Sequence, residues 1–132
     1  MWRIEFDSDK FLPFLPEESQ GNPGVYGFEL ACWLSRALAQ RGVVPTYPIG
    51  EDWGWLLEHF RGDLEVAIGC SSVCGEGEGY EGTAIMWSIF IDPRTSLKQK
   101  LKGVSGDAVQ KELVSHITAA LKDEGIEWRA VE

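Results

Sequence analysis

The chain has 132 residues, of which 12 are Lys or Arg and 21 are Asp or Glu, so its net charge is −9 at pH 7. Apolar residues make up 44% of the sequence, which excludes a disordered chain and predicts one folded domain over residues 1–132. A surface this negative repels phosphate backbones and anionic lipid headgroups, so neither nucleic acid nor a membrane is expected as a partner.

The N-terminus and the cysteine content predict a cytoplasmic protein. Charged residues alternate with apolar ones from Trp2 to Asp7, where a secretory signal needs an unbroken apolar segment. The cysteines Cys32, Cys70 and Cys74 are odd in number, which favours reduced thiols over a disulfide framework.

The opening segment predicts a strand and then a loop. Trp2, Ile4 and Phe6 alternate with charged residues, which is the period of a half-buried strand. Prolines and glycines over 11–24 then break any helix or ladder, so this range is expected to be a loop.

A first helix is predicted to follow that loop. Asn22 is placed to cap a helix that has Pro23 at its first position, and apolar residues recur at helical spacing as far as Leu38. Gly42 is placed to end the helix. The segment 43–49 is β-prone but carries two prolines, so it belongs at a sheet edge or in an extended connector.

Three strands are predicted in the middle of the chain. Residues 53–60 and 64–70 are separated by a short turn that contains Gly62, and this arrangement is typical of a hairpin. A loop rich in Gly and Glu follows over 71–82. The next strand, 83–91, is expected to pair with the strand that precedes this loop.

The last part of the chain predicts a connector, a helix and a strand. The basic segment 94–103 is expected to be a solvated loop. A second helix is predicted from Asp107, with Ser105 or Asp107 as its cap and Gly125 as its end. Residues 126–131 alternate in the manner of a final strand.

The order β-α-β-β-β-β-α-β predicts an α+β fold, with a largely antiparallel sheet of five or six strands and two helices packed on one face. The other face would be more apolar than solvent-exposed faces usually are, so it is expected to need a cover, and a homodimer through this face is one possibility. That face is predicted to carry Gly54, Leu56, Phe60, Ala67, Met86 and Phe90.

The acidity of the chain is concentrated in its middle. Residues 51–82 contain eight acids and one base, a local balance of −7, whereas residues 83–132 contain seven of each. Such a cluster either keeps the loops soluble or forms a docking surface for a cationic partner.

Two tryptophans follow directly after an acidic pair. Trp53 and Trp55 flank Gly54 and come after Glu51 and Asp52, and alternation along a strand would point both indoles to the same side. They are either core residues or an aromatic anchor with an acidic rim, a composition suited to Arg or Lys. Core packing is expected for the other four tryptophans, Trp2, Trp33, Trp87 and Trp128.

No pattern in the sequence predicts a metal, a cofactor or a catalytic site. Cys70 and Cys74 lack the spacing of a zinc site, and Cys32, His59 and His116 are the conceivable further ligands. No nucleophile motif is present, and the glycines that follow Cys74 alternate with carboxylates that would repel phosphate. We expect no cofactor and no enzymatic activity. A small-ligand or enzymatic domain with a pocket between sheet and helices is the alternative.

The segment 48–55, with Glu51-Asp52-Trp53-Gly54-Trp55 as its distinctive part, resembles small bacterial α/β proteins, some of which are encoded beside toxins as immunity proteins. The resemblance implies an acidic protein that blocks a toxin by stoichiometric binding. We therefore expect a non-catalytic binding protein, an inhibitor of a basic protein such as a toxin, that docks through the acidic middle of the chain. The residues expected to contact this partner are Glu51, Asp52, Trp53, Trp55, Glu76, Glu78 and Glu81.

Overall fold

Alternating apolar and polar residues build a single sheet in this protein. The computed structural model describes residues 1–20, 22, 24–73 and 84–131, and within these it contains six strands and three helices. In chain order they are β1 (Trp2–Ser8), α1 (Phe28–Gln40), β2 (Ile49–Glu51), β3 (Gly54–Arg61), β4 (Leu64–Ser72), β5 (Ile85–Arg94), α2 (Leu97–Leu101), α3 (Asp107–Asp123) and β6 (Arg129–Ala130).

The strands form one sheet in the order β2-β3-β4-β5-β1-β6, and every neighbouring pair is antiparallel. The predicted α+β class and the predicted pairing of β4 with β5 are confirmed. Both edge strands are short, β2 with three residues and β6 with two, which limits the backbone that the sheet offers for pairing with other chains.

The hydrophobic core lies between the sheet and the two long helices. α1 packs against β3 and β4, α3 packs against β5, and the two helices contact each other. Phe6, Trp87, Leu34 and Leu113 are completely buried there, and burying a side chain of this size stabilises the fold by about 1.5–3 kcal/mol. None of the helices in the described ranges is long and apolar enough to cross a bilayer.

The first helix begins later than the sequence predicts. α1 starts at Phe28 with Gly27 as its N-cap residue, and Asn22 instead donates a hydrogen bond from its side chain to the backbone oxygen of Asp52. The chain before the helix is held against β4, since the Tyr26 N–H donates to the Ser72 hydroxyl. A contact with a distant strand therefore decides where the helix starts, and Pro23 lies outside the described residues.

The C-terminal ends predicted for the two long helices agree with the structure. Gly42 and Gly125 follow α1 and α3 with positive φ angles of 84° and 71°, so both predicted helix ends are confirmed. The predicted cap of α3 is wrong, because Gly106 is its N-cap residue and no side chain caps the helix; the Ser105 hydroxyl accepts the Asp107 N–H just before it. The segment 43–48 is irregular and leads into edge strand β2, which agrees with the predicted connector.

Two predictions for the last part of the chain are wrong. The basic segment 94–103 is not simply a loop, because Ser96 and Gln99 form a capping box that starts the short helix α2. Trp128 is 40% exposed rather than part of the core, since only Arg129 and Ala130 of the last segment pair with the sheet. Its ring packs edge-on against Trp2 with centroids 6.3 Å apart.

Gly54 is the position where the backbone of the β2–β3 hairpin depends most on glycine. Its φ is +152°, and a Cβ there would overlap the Cys70 carbonyl oxygen and lie 2.8 Å from Ser71 Cβ. No other residue type fits both constraints without a shift of strand β4.

Gly54→Ala is therefore expected to lower the free energy of unfolding by about 2–3 kcal/mol. Gly50→Ala is the matched control in the same hairpin, because a Cβ there meets only the Trp55 ring at ordinary contact distance, 3.4 Å or more. We expect the control to change stability by less than about 1 kcal/mol. Urea denaturation of both variants measures the difference, and equal losses would contradict it.

Candidate binding surface

The side of the sheet turned away from α1 and α3 is called the open face. Its residues follow from the strand registers, which place every second residue of each strand on this side. The open face consists of Arg3, Glu5, Asp7, Ile49, Glu51, Leu56, Glu58, Phe60, Glu65, Ala67, Gly69, Ser71, Met86, Ser88, Phe90, Asp92, Arg94 and Arg129.

An aromatic pair stands near the middle of the open face. The ring of Phe90 lies over Gly69, where a Cβ would overlap it. Trp53 packs on this ring with centroids 5.1 Å apart and planes at 50°, yet 40% of Trp53 stays exposed. On another side the Arg3 guanidinium carbon lies 5.8 Å from the Phe90 centroid. The pair is thus fixed by packing while its indole remains accessible.

Carboxylates surround this pair on the side of β2, β3 and β4. Glu51, Glu58 and Glu65 lie on three neighbouring strands, and within the described part of these strands no Lys or Arg occupies an open-face position. A hydrogen bond between the carboxyl groups of Glu58 and Glu65 raises the pKa of Glu58 above its ordinary value, with a further contribution from burial. The two carboxyl groups are therefore close enough to repel each other when both are ionised. This half of the open face, from β2 to β4, is called the acidic half.

The opposite half of the open face carries the bases. Arg94 lies 3.4 Å from a Glu65 oxygen, and Arg129 lies 3.9 Å from an Asp7 oxygen. Between the two halves runs a shallow groove of about 520 Å³, whose walls include Trp53 and Phe90. The open face is thus divided into an acidic side and a mixed side.

The structure separates the two tryptophans that the sequence placed together. Asp52 and Trp53 form the turn between β2 and β3, because Glu51 pairs with Gly54. Trp53 therefore does not follow the strand alternation and lies on the open face. Trp55 is 9% exposed and packs edge-on against Phe28 of α1 with centroids 5.0 Å apart. The prediction that both indoles point to the same side is wrong, and Trp55 is a core residue rather than an accessible anchor.

The predicted acidic contacts are brought together only in part. Glu51 lies on the open face and Asp52 is exposed in the adjoining turn, next to Trp53. The remaining predicted contacts lie outside the described residues, and they are Glu76, Glu78 and Glu81. Sequence reasoning had not selected Glu58 and Glu65 as contacts, although their alternation with apolar residues marks them for the open face.

Both histidines and the two cysteines within the described residues occupy the helix side of the molecule. His59 and Cys70 are buried on β3 and β4, and burial raises the pKa of the Cys70 thiol far above its ordinary value. His116 is half-buried on α3 with its Nε2 3.8 Å from a Glu112 oxygen. Among the described residues no group of three or more His, Cys, Asp or Glu side chains could hold a metal ion. Cys74 lies outside those residues.

Comparisons with protein-family models, with curated proteins and with solved structures find no match to this chain. The physical chemistry of the open face is accordingly the basis for the function proposed below.

The two tryptophans are expected to differ in their contributions to stability. Trp55→Ala removes a buried ring and should lower the free energy of unfolding by about 3–5 kcal/mol. Trp53→Ala loses only the contact with Phe90 and should cost about 1 kcal/mol. Urea denaturation of the two variants tests this difference, and a larger loss for Trp53→Ala would contradict the assignment.

His59 should make the fold sensitive to acid. Burial, followed by the charge of Arg61, lowers the pKa of His59 below its ordinary 6.5. His59 therefore binds its proton at a higher pH in the unfolded chain than in the folded chain. The stability that the neutral ring provides is fully present above pH 6.5 and decreases as the pH falls below it.

Thermal unfolding between pH 5 and pH 8 measures this effect. We expect His59→Gln to flatten the decrease in Tm at the acid end. An unchanged profile in His59→Gln would show that other groups cause the acid sensitivity.

Proposed function

We propose that this protein is a non-catalytic binding module that docks a basic protein on the open face of its sheet. The form of this function that we favour is an inhibitor of a basic toxin, in line with the resemblance of residues 48–55 to immunity proteins. The observation that carries the proposal is the accessible Trp53, which packs on Phe90 and shares with Asp52 the turn directly after Glu51.

The chemistry of the acidic half suits a cationic partner. Glu51 and Glu58 have no ion-pair partner within the described residues, so both carboxylates are available to Arg or Lys side chains. A cation bound between Glu58 and Glu65 would also relieve the repulsion between these two carboxylates. Attraction between opposite charges would speed the encounter of the two proteins, and the effect would decrease as salt is added.

An aromatic centre with a charged rim is the usual composition of an energetic hot spot. Trp53 offers an indole held in place by Phe90, so little conformational freedom would be lost on binding. Of the apolar residues predicted for this face, Leu56 and Ala67 are buried at 5% and 1% exposure, whereas the ring of Phe60 is 55% exposed and extends the accessible apolar area along β3. The accessible groups are thus suited to recognition, whereas His59 and Cys70 face the core.

A second copy of this chain could occupy the open face only with each acidic half against the mixed half of the other copy, since two acidic halves placed against each other would repel. The observations favour a basic partner, and a homodimer through the open face is an outcome that the experiment below distinguishes.

Capture of partners from the native host tests the proposal. The tagged chain should retain a basic protein, and Glu51→Lys combined with Glu58→Lys should slow its association at least about tenfold at low salt. Trp53→Ala should instead speed dissociation. The control combines Glu18→Lys with Glu127→Lys, which makes the same change of net charge outside the sheet and should leave both rates unchanged.

Three results would contradict the proposal. The first is equal binding by the open-face variant and the control. The second is a homodimer of the purified chain, detected by sedimentation, that the open-face variant dissociates. The third concerns inhibition. We expect the captured protein to arrest growth when it is expressed alone, and we expect the wild-type chain, but not the open-face variant, to restore growth. A captured protein that is harmless would remove the inhibitor form of the proposal.

A further inference from the structure

A depression of about 610 Å³ lies beside helix α2, between the β3–β4 turn and the end of β5. Four cationic side chains from three elements line it, together with two carboxylates. These residues are Arg61, Arg94, Lys98, Lys102, Asp63 and Glu65. The chain as a whole carries a charge of −9, so this local excess of positive charge runs against its composition. The depression is called the α2 pocket.

The geometry points to the α2 pocket as a binding site for a phosphate group. This site goes beyond the proposed function, because its ligand is an anion and the acidic half is proposed to bind cations. Arg and Lys are the side chains that proteins use for phosphate oxygens, Arg through its planar set of N–H donors and Lys as a point charge.

The backbone around the pocket is held in place before any ligand binds. The Ser96 hydroxyl accepts the Gln99 N–H, and the Gln99 side-chain oxygen accepts the Ser96 N–H. The Gln99 side-chain nitrogen donates to the Asp63 backbone oxygen at 2.8 Å, which ties α2 to the β3–β4 turn. The Val104 N–H donates to the Gln99 backbone oxygen after the helix. Helix α2 is therefore held beside the β3–β4 turn, which fixes the backbone that carries its lysines relative to that of Arg61.

The cations keep donors free for a ligand. Arg61 donates from one terminal nitrogen to Glu112 at 2.8 Å, and its other terminal nitrogen lies 3.4 Å from His59 Nε2. Arg94 gives one nitrogen to Glu65 at 3.4 Å, so its remaining N–H groups are available. Lys98 and Lys102 are one helical turn apart and have no ion-pair partner in the described part of the chain. Like charges at this spacing repel each other, and an anion between them would remove that cost.

Titration of the ¹⁵N-labelled full chain with inorganic phosphate, at constant ionic strength, tests this site by NMR. We expect saturable shifts of the amides of 97–102 and of the β3–β4 turn. The double variant Lys98→Gln, Lys102→Gln should weaken binding at least about tenfold. Lys100→Gln is the matched control, since Lys100 lies on the same helix but not on the pocket wall, and it should change the affinity less than twofold.

A second titration with phenyl phosphate distinguishes the source of the group. Tighter binding of phenyl phosphate identifies a phosphate monoester as the ligand class, and equal or weaker binding identifies the free anion. Circular dichroism verifies that the variants are folded. Shifts that do not saturate, shifts that sodium chloride reproduces, or an equal loss of affinity in Lys100→Gln would overturn the proposal. Trp53→Ala, which changes a residue of the proposed partner surface that does not line the α2 pocket, should bind phosphate like the wild type and so separates this test from that of the proposed function.

Discussion

Both long helices lie on the same side of the sheet, and this one-sided burial constrains the rest of the structure. Side chains alternate between the two sides of each strand, so a register shift of one residue would exchange the core set for the open-face set. Trp87, Ile89 and Leu57 are completely buried on the helix side, where α1 and α3 cover them. Because both helices are used there, the charged and aromatic side chains of the opposite side remain accessible, and the proposed partner surface follows from this asymmetry.

The charges of the accessible side are separated in space. Glu51 and Glu58 belong to the acidic half, whereas Lys98 and Lys102 belong to the α2 pocket. The contact between Glu65 and Arg94, at 3.4 Å, lies at the border, since Arg94 lines both the groove of the open face and the α2 pocket. The protein thus carries two neighbouring surfaces of opposite sign, one suited to a basic partner and one to a small anion, which share only the Glu65–Arg94 pair at their border. The net charge of −9 conceals this division.

The sequence was sufficient to predict the strands and the two long helices, because their periodicity is a local property of the chain. It was also sufficient to predict which strand residues share the open face, since alternate residues of a strand point to the same side of the sheet. It failed at the β2–β3 turn, where Trp53 and Trp55 end on opposite sides of the sheet although only Gly54 separates them. A turn interrupts the alternation, and its position depends on the close approach of Gly54 to the Cys70 carbonyl oxygen, a contact between distant segments.

Composition and periodicity by themselves determined the fold class, the acidity of the middle of the chain and the set of residues that share each side of the sheet. These properties depend only on single residues and on short segments of the sequence. Tertiary structure alone decided which carboxylates become neighbours, that Phe90 lies over Gly69 and supports Trp53, and that the lysines of α2 meet Arg61 and Arg94. Strand order and register bring these residues together, and both are fixed by the packing of the whole chain rather than by any local pattern.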